Sequence, residues 1–271
     1  MTSIMWAFET QNIFDKIQII RASSEAIFSL KTKIVVPERP ARDALVLEFK
    51  AHPHKKGFSS LEGQARMLHD LASIELQAME LGLRTLVEFP EAPAAFREEL
   101  WAVTLSESQH LEMCLIEIEK LGFKWGDWPI NCGLWQTVSV NDSLLDRVLI
   151  VHRYLEGSGL DAGDTLLRRL AGVQATSVSR IVKIINDEEI DHVLFGARWY
   201  QALCLEKKLN PVDDFTIRMN RLRAILPKRV GAINRELRAR AGFSALEIQY
   251  LERLRDSFLD KEITWKKDGS L

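Results

Sequence analysis

The chain has 271 residues, with 36 Lys and Arg against 38 Asp and Glu, so its formal net charge is −2. That near-neutral balance excludes a bulk electrostatic footprint for nucleic acid or an anionic membrane, and the length allows one substantial domain with attachments. The start, Met1 to Glu9, lacks a basic stretch followed by an apolar one, and no apolar run reaches the roughly 18 residues of a span, so a cytoplasmic location is expected.

In chain order, residues 1–58 read as a lead-in in which Ile13 to Leu30 forms one amphipathic helix. The stretches Val35–Pro40 and His52–Gly57 are Pro-marked connectors, and His52 and His54 read as loop side chains, not ligands. Ser59-x-x-Glu62 has the form of a capping box opening the first long helix, which runs to about Glu88. Pro93 opens the second, which stops at Gly122, and the short link makes the two antiparallel neighbours. Gly122 to Asn141 is rich in Gly and Trp and has no helical period, a length that suits a long crossover. Trp125, Trp128 and Trp135 are expected to pack along the helices.

Asn141-Asp142-Ser143 offers an N-cap to the third helix, which carries His152 and Glu156. The run Glu156 to Gly163 holds three glycines, each costing about 1 kcal/mol in a helix interior, and predicts a bend or local bulge. The fourth helix begins near Val173 and continues to about Lys208, with Asn210-Pro211 ending it. Residues 212–271 read as two further helices broken at Pro227 and Gly242, and their basic residues, Arg218 to Arg240, as a solvated face, with an anionic substrate or partner site as the alternative. Cys114, Cys132 and Cys204, odd in number and widely spaced, indicate reduced thiols. The expected fold is all-α: an N-terminal extension over 1–58, a four-helix bundle over 59–210, and a C-terminal helical extension over 211–271.

The chemistry lies in a repeated constellation. Val182, Ile185, Glu189, His192, Gly196, Trp199 and Leu203 alternate in steps of three and four, the inward stripe of a bundle helix. Glu107 and His110 form a second Glu-x-x-His on the stripe Leu100, Val103, Glu107, His110, Cys114, Leu121. Glu75 precedes Glu107 by 32 residues and Glu156 precedes Glu189 by 33, each on an inward stripe, so the chain repeats at about 82 residues. A carboxylate and an imidazole on the dry side of a helix are costly without a partner, and a divalent metal satisfies both. Four carboxylates and two imidazoles from four helices suffice for two ions, whose four positive charges cancel the carboxylates.

With these residues in view, the chain resembles the ferritin-like di-iron carboxylate proteins, and more narrowly the family catalogued as domain of unknown function 455. The resemblance runs over roughly residues 40–245, through Glu107-Ser108-Gln109-His110, Cys132-Gly133-Leu134-Trp135, Leu155-Glu156-Gly157-Ser158-Gly159-Leu160-Asp161, Asp187-Glu188-Glu189-Ile190-Asp191-His192-Val193, Gly196-Ala197-Arg198-Trp199 and Ala241-Gly242-Phe243. It implies a ferritin-like bundle with one long crossover, and Glu75, Glu107, His110, Glu156, Glu189 and His192 as ligands of two iron ions, with manganese as an alternative in either position. The chain departs from the family at Ser73, Gly157-Ser158 and Glu188. In the superfamily an Asp at the place of Glu188 supports a ligand His.

The implied activity is a di-iron oxidoreductase, an oxygenase or oxidase using dioxygen, an unidentified small-molecule substrate and an external electron donor. The similarity of such proteins to a tRNA-modifying hydroxylase leaves a tRNA substrate open, and a homodimer is one option for assembly. Cys114 and Gly196, each four residues after a ligand His, are small and leave room there; Cys114 stands where radical-storing relatives have Tyr, which favours direct substrate oxidation. Cys114, Glu188 and His152 are candidate catalytic residues. His152, four residues before Glu156, is open to three roles: an extra nitrogen ligand, a proton donor, or a core histidine bonded to Glu156 or a backbone carbonyl. The rival readings are a non-catalytic iron-storage or metal-handling protein and a scaffold with a vestigial site; the roughly 100 residues beyond a bare bundle favour the enzyme.

Overall fold

The structure is a computed structural model that describes the backbone of residues 3–173 and 175–268 and the side chains of 4–173 and 175–260. The first two residues of the lead-in, Gln174, and the end of the C-terminal extension lie outside the described residues. Among the described residues the regular structure is helical, and the one strand-like pairing is an isolated parallel bridge between Val46 and Ile130. No helix among them is long and apolar enough to cross a membrane. The chain divides into two compact units, one of residues 1–144 and 168–185, the other of residues 145–167 and 186–271.

The first unit opens with α1 (Ser3–Glu9), α2 (Ile13–Arg21) and α3 (Ser24–Ser29). The single helix expected over Ile13 to Leu30 is thus two. Ser23 breaks it: its hydroxyl donates to Ile19 O at 2.7 Å, and its backbone occupies the N-cap position of α3. A helical hairpin follows, α4 (Leu61–Glu88) and α5 (Ala94–Lys120), antiparallel as the short link requires. The cap of α4 is Ser60, whose hydroxyl accepts from the Gly63 amide at 3.1 Å, so the box expected at Ser59 does not form. Glu62, its intended partner, is drawn away into an ion pair with Lys56. At the far end of α5, Gly122 takes the left-handed φ of 85° that ends a helix.

Buried charge ties the lead-in to α4. Glu80, with no exposed surface, accepts from Lys16 Nζ at 2.6 Å and from Arg42 Nη1 at 2.7 Å, and Lys16 also donates to Ala41 O. The connector after α5 is held to the same helix by Gln77, whose Oε1 accepts from the amides of Leu134 and Trp135 at 3.1 and 3.2 Å. Trp135 packs as expected of it: it is buried, its indole N–H reaches Glu38 O at 2.8 Å, and the Arg84 guanidinium covers its ring.

The second unit opens within one continuous helical run: α6 (Leu144–Val148), a π-helical segment Leu149–Leu155, and α7 (Glu156–Leu170). Every residue from Leu145 to Leu155 is buried. The irregularity expected in the glycine-rich stretch is therefore one turn upstream, and Gly157, Gly159 and Gly163 sit in regular helix. Close approach explains Gly163, where a methyl group would lie 2.1 Å from Asn186 Oδ1. Asn186 belongs to α8 (Thr176–Glu206), the long helix that carries the second Glu-x-x-His.

The C-terminal extension has three helices, not two: α9 (Pro211–Leu222), α10 (Arg235–Arg240) and α11 (Ala245–Asp268). Asn210 and Asn234 cap the first two, which is why the chain can restart after Pro227 without a long helix there. The arginines here are mostly engaged, contrary to a simple solvated face. Arg218 pairs with Asp146 and Asp214, Arg221 with Asp146, Arg235 with Glu252, and buried Arg238 with Asp161 at 2.8 Å. Arg153, in the π-helical segment, donates to Glu247 at 2.7 Å and lies 3.8 Å from the Phe243 ring centroid. Gly242 and Phe243, from the motif around Ala241, thus brace the back of that segment.

Candidate metal centre

Each half of the repeat sets a Glu-x-x-His pair with its carboxylate against its own imidazole. On α5, Glu107 and His110 are three residues apart and both buried, with Glu107 Oε2 3.4 Å from His110 Nδ1. Glu75 on α4 faces them, its Oε2 3.5 Å from the same nitrogen. On α8, Glu189 Oε1 stands 3.4 Å from His192 Nδ1. These spacings exceed an ordinary N–H···O hydrogen bond, whereas two donors bound about 2.1 Å from a shared ion stand about 3 to 3.5 Å apart. Glu107, His110, Glu189 and His192 each offer one donor atom within 4.8 Å of the others, a group able to hold a metal ion.

The fourth carboxylate is placed by helix register. Gly163 lies against Asn186, and Gly196 lies so close to His152 that a methyl group there would come 2.4 Å from the His152 Cβ. The segments therefore run antiparallel, and Glu156, four residues on from His152, falls level with His192. Glu75 opposite His110 is the counterpart in the first half. The 82-residue repeat is thus a repeat of packing.

The donor set fits a hard divalent ion. It consists of carboxylates and imidazoles with no thiolate, a set that a divalent metal ion takes. Cys114 is fully buried, and burial, with the charge of Glu75, raises its thiol pKa well above the usual value, so it stays a protonated thiol at neutral pH. Burial alone would lower the pKa of His110. The close approach of the Glu107 and Glu75 carboxylates overcomes this and pushes it up to about 11, so without metal a proton holds part of the positive charge that the carboxylates demand.

Of the other sequence candidates, His152 is buried, its Nδ1 2.7 Å from Glu156 Oε1. Glu188 is exposed and is not among the grouped donors. Gly196 does leave room, but the room is filled by the backbone and Cβ of His152. His52 accepts from Arg66 through Nδ1 and meets Leu47 O through Nε2, consistent with a loop role. Sequence reasoning missed the Lys16–Glu80–Arg42 cluster and the π-helical segment. The first had a signal, since Glu80 lies among apolar residues of α4; the second had none, because the buried run Leu149–Leu155 scans equally well as α-helix.

Comparison with known proteins agrees with this architecture in extent. The chain is 30% identical over 249 residues to an uncharacterized protein of Haemophilus influenzae, covering 89% of this chain and 84% of that one. No solved structure matches. The family model described as protein of unknown function (DUF455) matches residues 7–249, from α1 into α11 and across every carboxylate and imidazole of the candidate centre, and the chain belongs to that family.

Proposed function

We propose that the protein is a ferritin-like di-iron oxidoreductase that activates dioxygen to oxidise a small-molecule substrate, with electrons from an external donor. The observation that carries this reading is the convergence of Glu107, His110, Glu189 and His192 within 4.8 Å, with Glu75 beside His110. Glu75, Glu107 and His110 would hold one side, and Glu156, Glu189 and His192 the other. Ferrous ions, when held there, would supply electrons for the reduction of dioxygen, to be restored by the external donor.

The chain's own residues do the rest. The four carboxylates neutralise two divalent ions in a dry interior, where neither bare acids nor bare cations are tolerated. Burial of Glu75, Glu107 and His110 keeps bulk water from the reacting oxygen. Cys114, small and protonated, adds no competing ligand. The long elaboration beyond a bare bundle favours an enzyme over simple storage.

The test is dioxygen uptake by anaerobically prepared ferrous protein, followed by an oxygen electrode and optical spectroscopy. The proposal expects rapid uptake with new near-ultraviolet or visible absorption in the native chain, reduced at least tenfold in Glu107→Ala and Glu189→Ala. Uptake no faster than that of free ferrous ion would refute it.

A further inference from the structure

His152 has no counterpart in the first half of the repeat, where the equivalent residue is Leu71. Three features are devoted to it. The helix is widened to a π-helical turn over Leu149–Leu155, Gly196 gives up a side chain to admit its Cβ, and Phe195 meets its ring edge-on at 5.0 Å. π-Helical turns of this kind concentrate at functional sites.

The contact with Glu156 fixes what the ring does. A carboxylate oxygen only accepts, so at 2.7 Å from Oε1 it is His152 Nδ1 that carries the proton and donates. That bond engages Oε1 and leaves Oε2 as the oxygen available to an ion; Oε2 is buried and has no hydrogen-bond partner among the described residues. His152 Nε2, on the far side of the ring from the carboxylate, is likewise buried without a hydrogen-bond partner among the described residues, while Nδ1 backs Glu156. Leu71 can give Glu75 no such bond.

We propose that His152 is a positioning residue that locks Glu156 to present a single oxygen, making the two metal positions unequal, with the ion at Glu156 the more tightly held. This rests on the di-metal reading above and adds an order of loading to it. Outer hydrogen bonds to ligands commonly contribute 10- to 100-fold in metal affinity.

The experiment is titration of the metal-free full-length chain with Co(II), read by visible ligand-field absorption and equilibrium dialysis. The native chain is expected to bind two ions in two resolved steps. His152→Leu, which copies the first half's filler, should weaken the tighter step by about 10- to 100-fold and leave the other unchanged. His152→Gln, whose amide can still donate to Glu156, should recover most of that loss. Two equal steps in the native chain, native affinities in His152→Leu, or a Gln variant as weak as the Leu variant would each overturn the proposal. A native chain that binds no Co(II) would instead overturn the di-metal reading itself.

Discussion

His110 shows how a single side chain reports the demand of the whole site. Burial opposes its charge, yet Glu107 and Glu75 push its pKa up to about 11, far above the roughly 6.5 of an unfolded chain. A raised histidine pKa stabilises the metal-free fold fully below pH 6.5, and that stabilisation is lost progressively as pH rises through 11. Metal-free protein should therefore unfold at lower denaturant concentration at pH 9 than at pH 6.5. Because a metal-bound imidazole must give up this proton, loading at pH 7.5 should also release protons into a weakly buffered solution. Release measured with an indicator dye should approach one proton per chain from His110 and be absent in His110→Ala. At this scale the sequence was informative: inward phase on a three-four stripe located Glu107, His110, Glu189 and His192 without any structure. It could not choose among roles for His152, because that choice depends on a ring orientation set by tertiary packing.

At the scale of elements, the hairpin of α4 and α5 follows directly from its punctuation: a serine cap, a proline start and a glycine stop. Less legible were the interruptions. Ser23 splits the lead-in through a side-chain bond to the backbone, and the π-helical segment owes its shape to what braces it, with Arg153 buried against Glu247 and Phe243. Periodicity cannot register either effect, since each depends on a residue far away or on a local side-chain bond. Glu247→Ala would leave the Arg153 guanidinium buried without its carboxylate, and such losses cost about 3 to 5 kcal/mol. Chemical denaturation should show a fall of that size, and Glu247→Gln, which keeps an acceptor but no charge, a smaller one. A change below about 0.5 kcal/mol for Glu247→Ala would mean that the C-terminal helices do not support the segment.

For the whole molecule, the all-helical class and the internal repeat were both readable, because a repeat of ligands preserves their spacing even where the intervening side chains differ. The glycine-rich stretch was misread as a bend because glycine's cost to a helix is local, while its benefit at Gly163, close approach to Asn186, appears only between elements. The same logic puts a metal at the centre of the proposal: Glu107 and Glu189, with the histidines beside them, gather carboxylate charge that a cation would balance. The most direct measurement is metal stoichiometry, by elemental analysis of the full-length chain after anaerobic loading with ferrous iron and removal of excess ion. The account predicts two ions per native chain and a sharp loss in Glu107→Ala and in Glu189→Ala. Retention of no iron by the native chain, or of two ions by both variants, would contradict it.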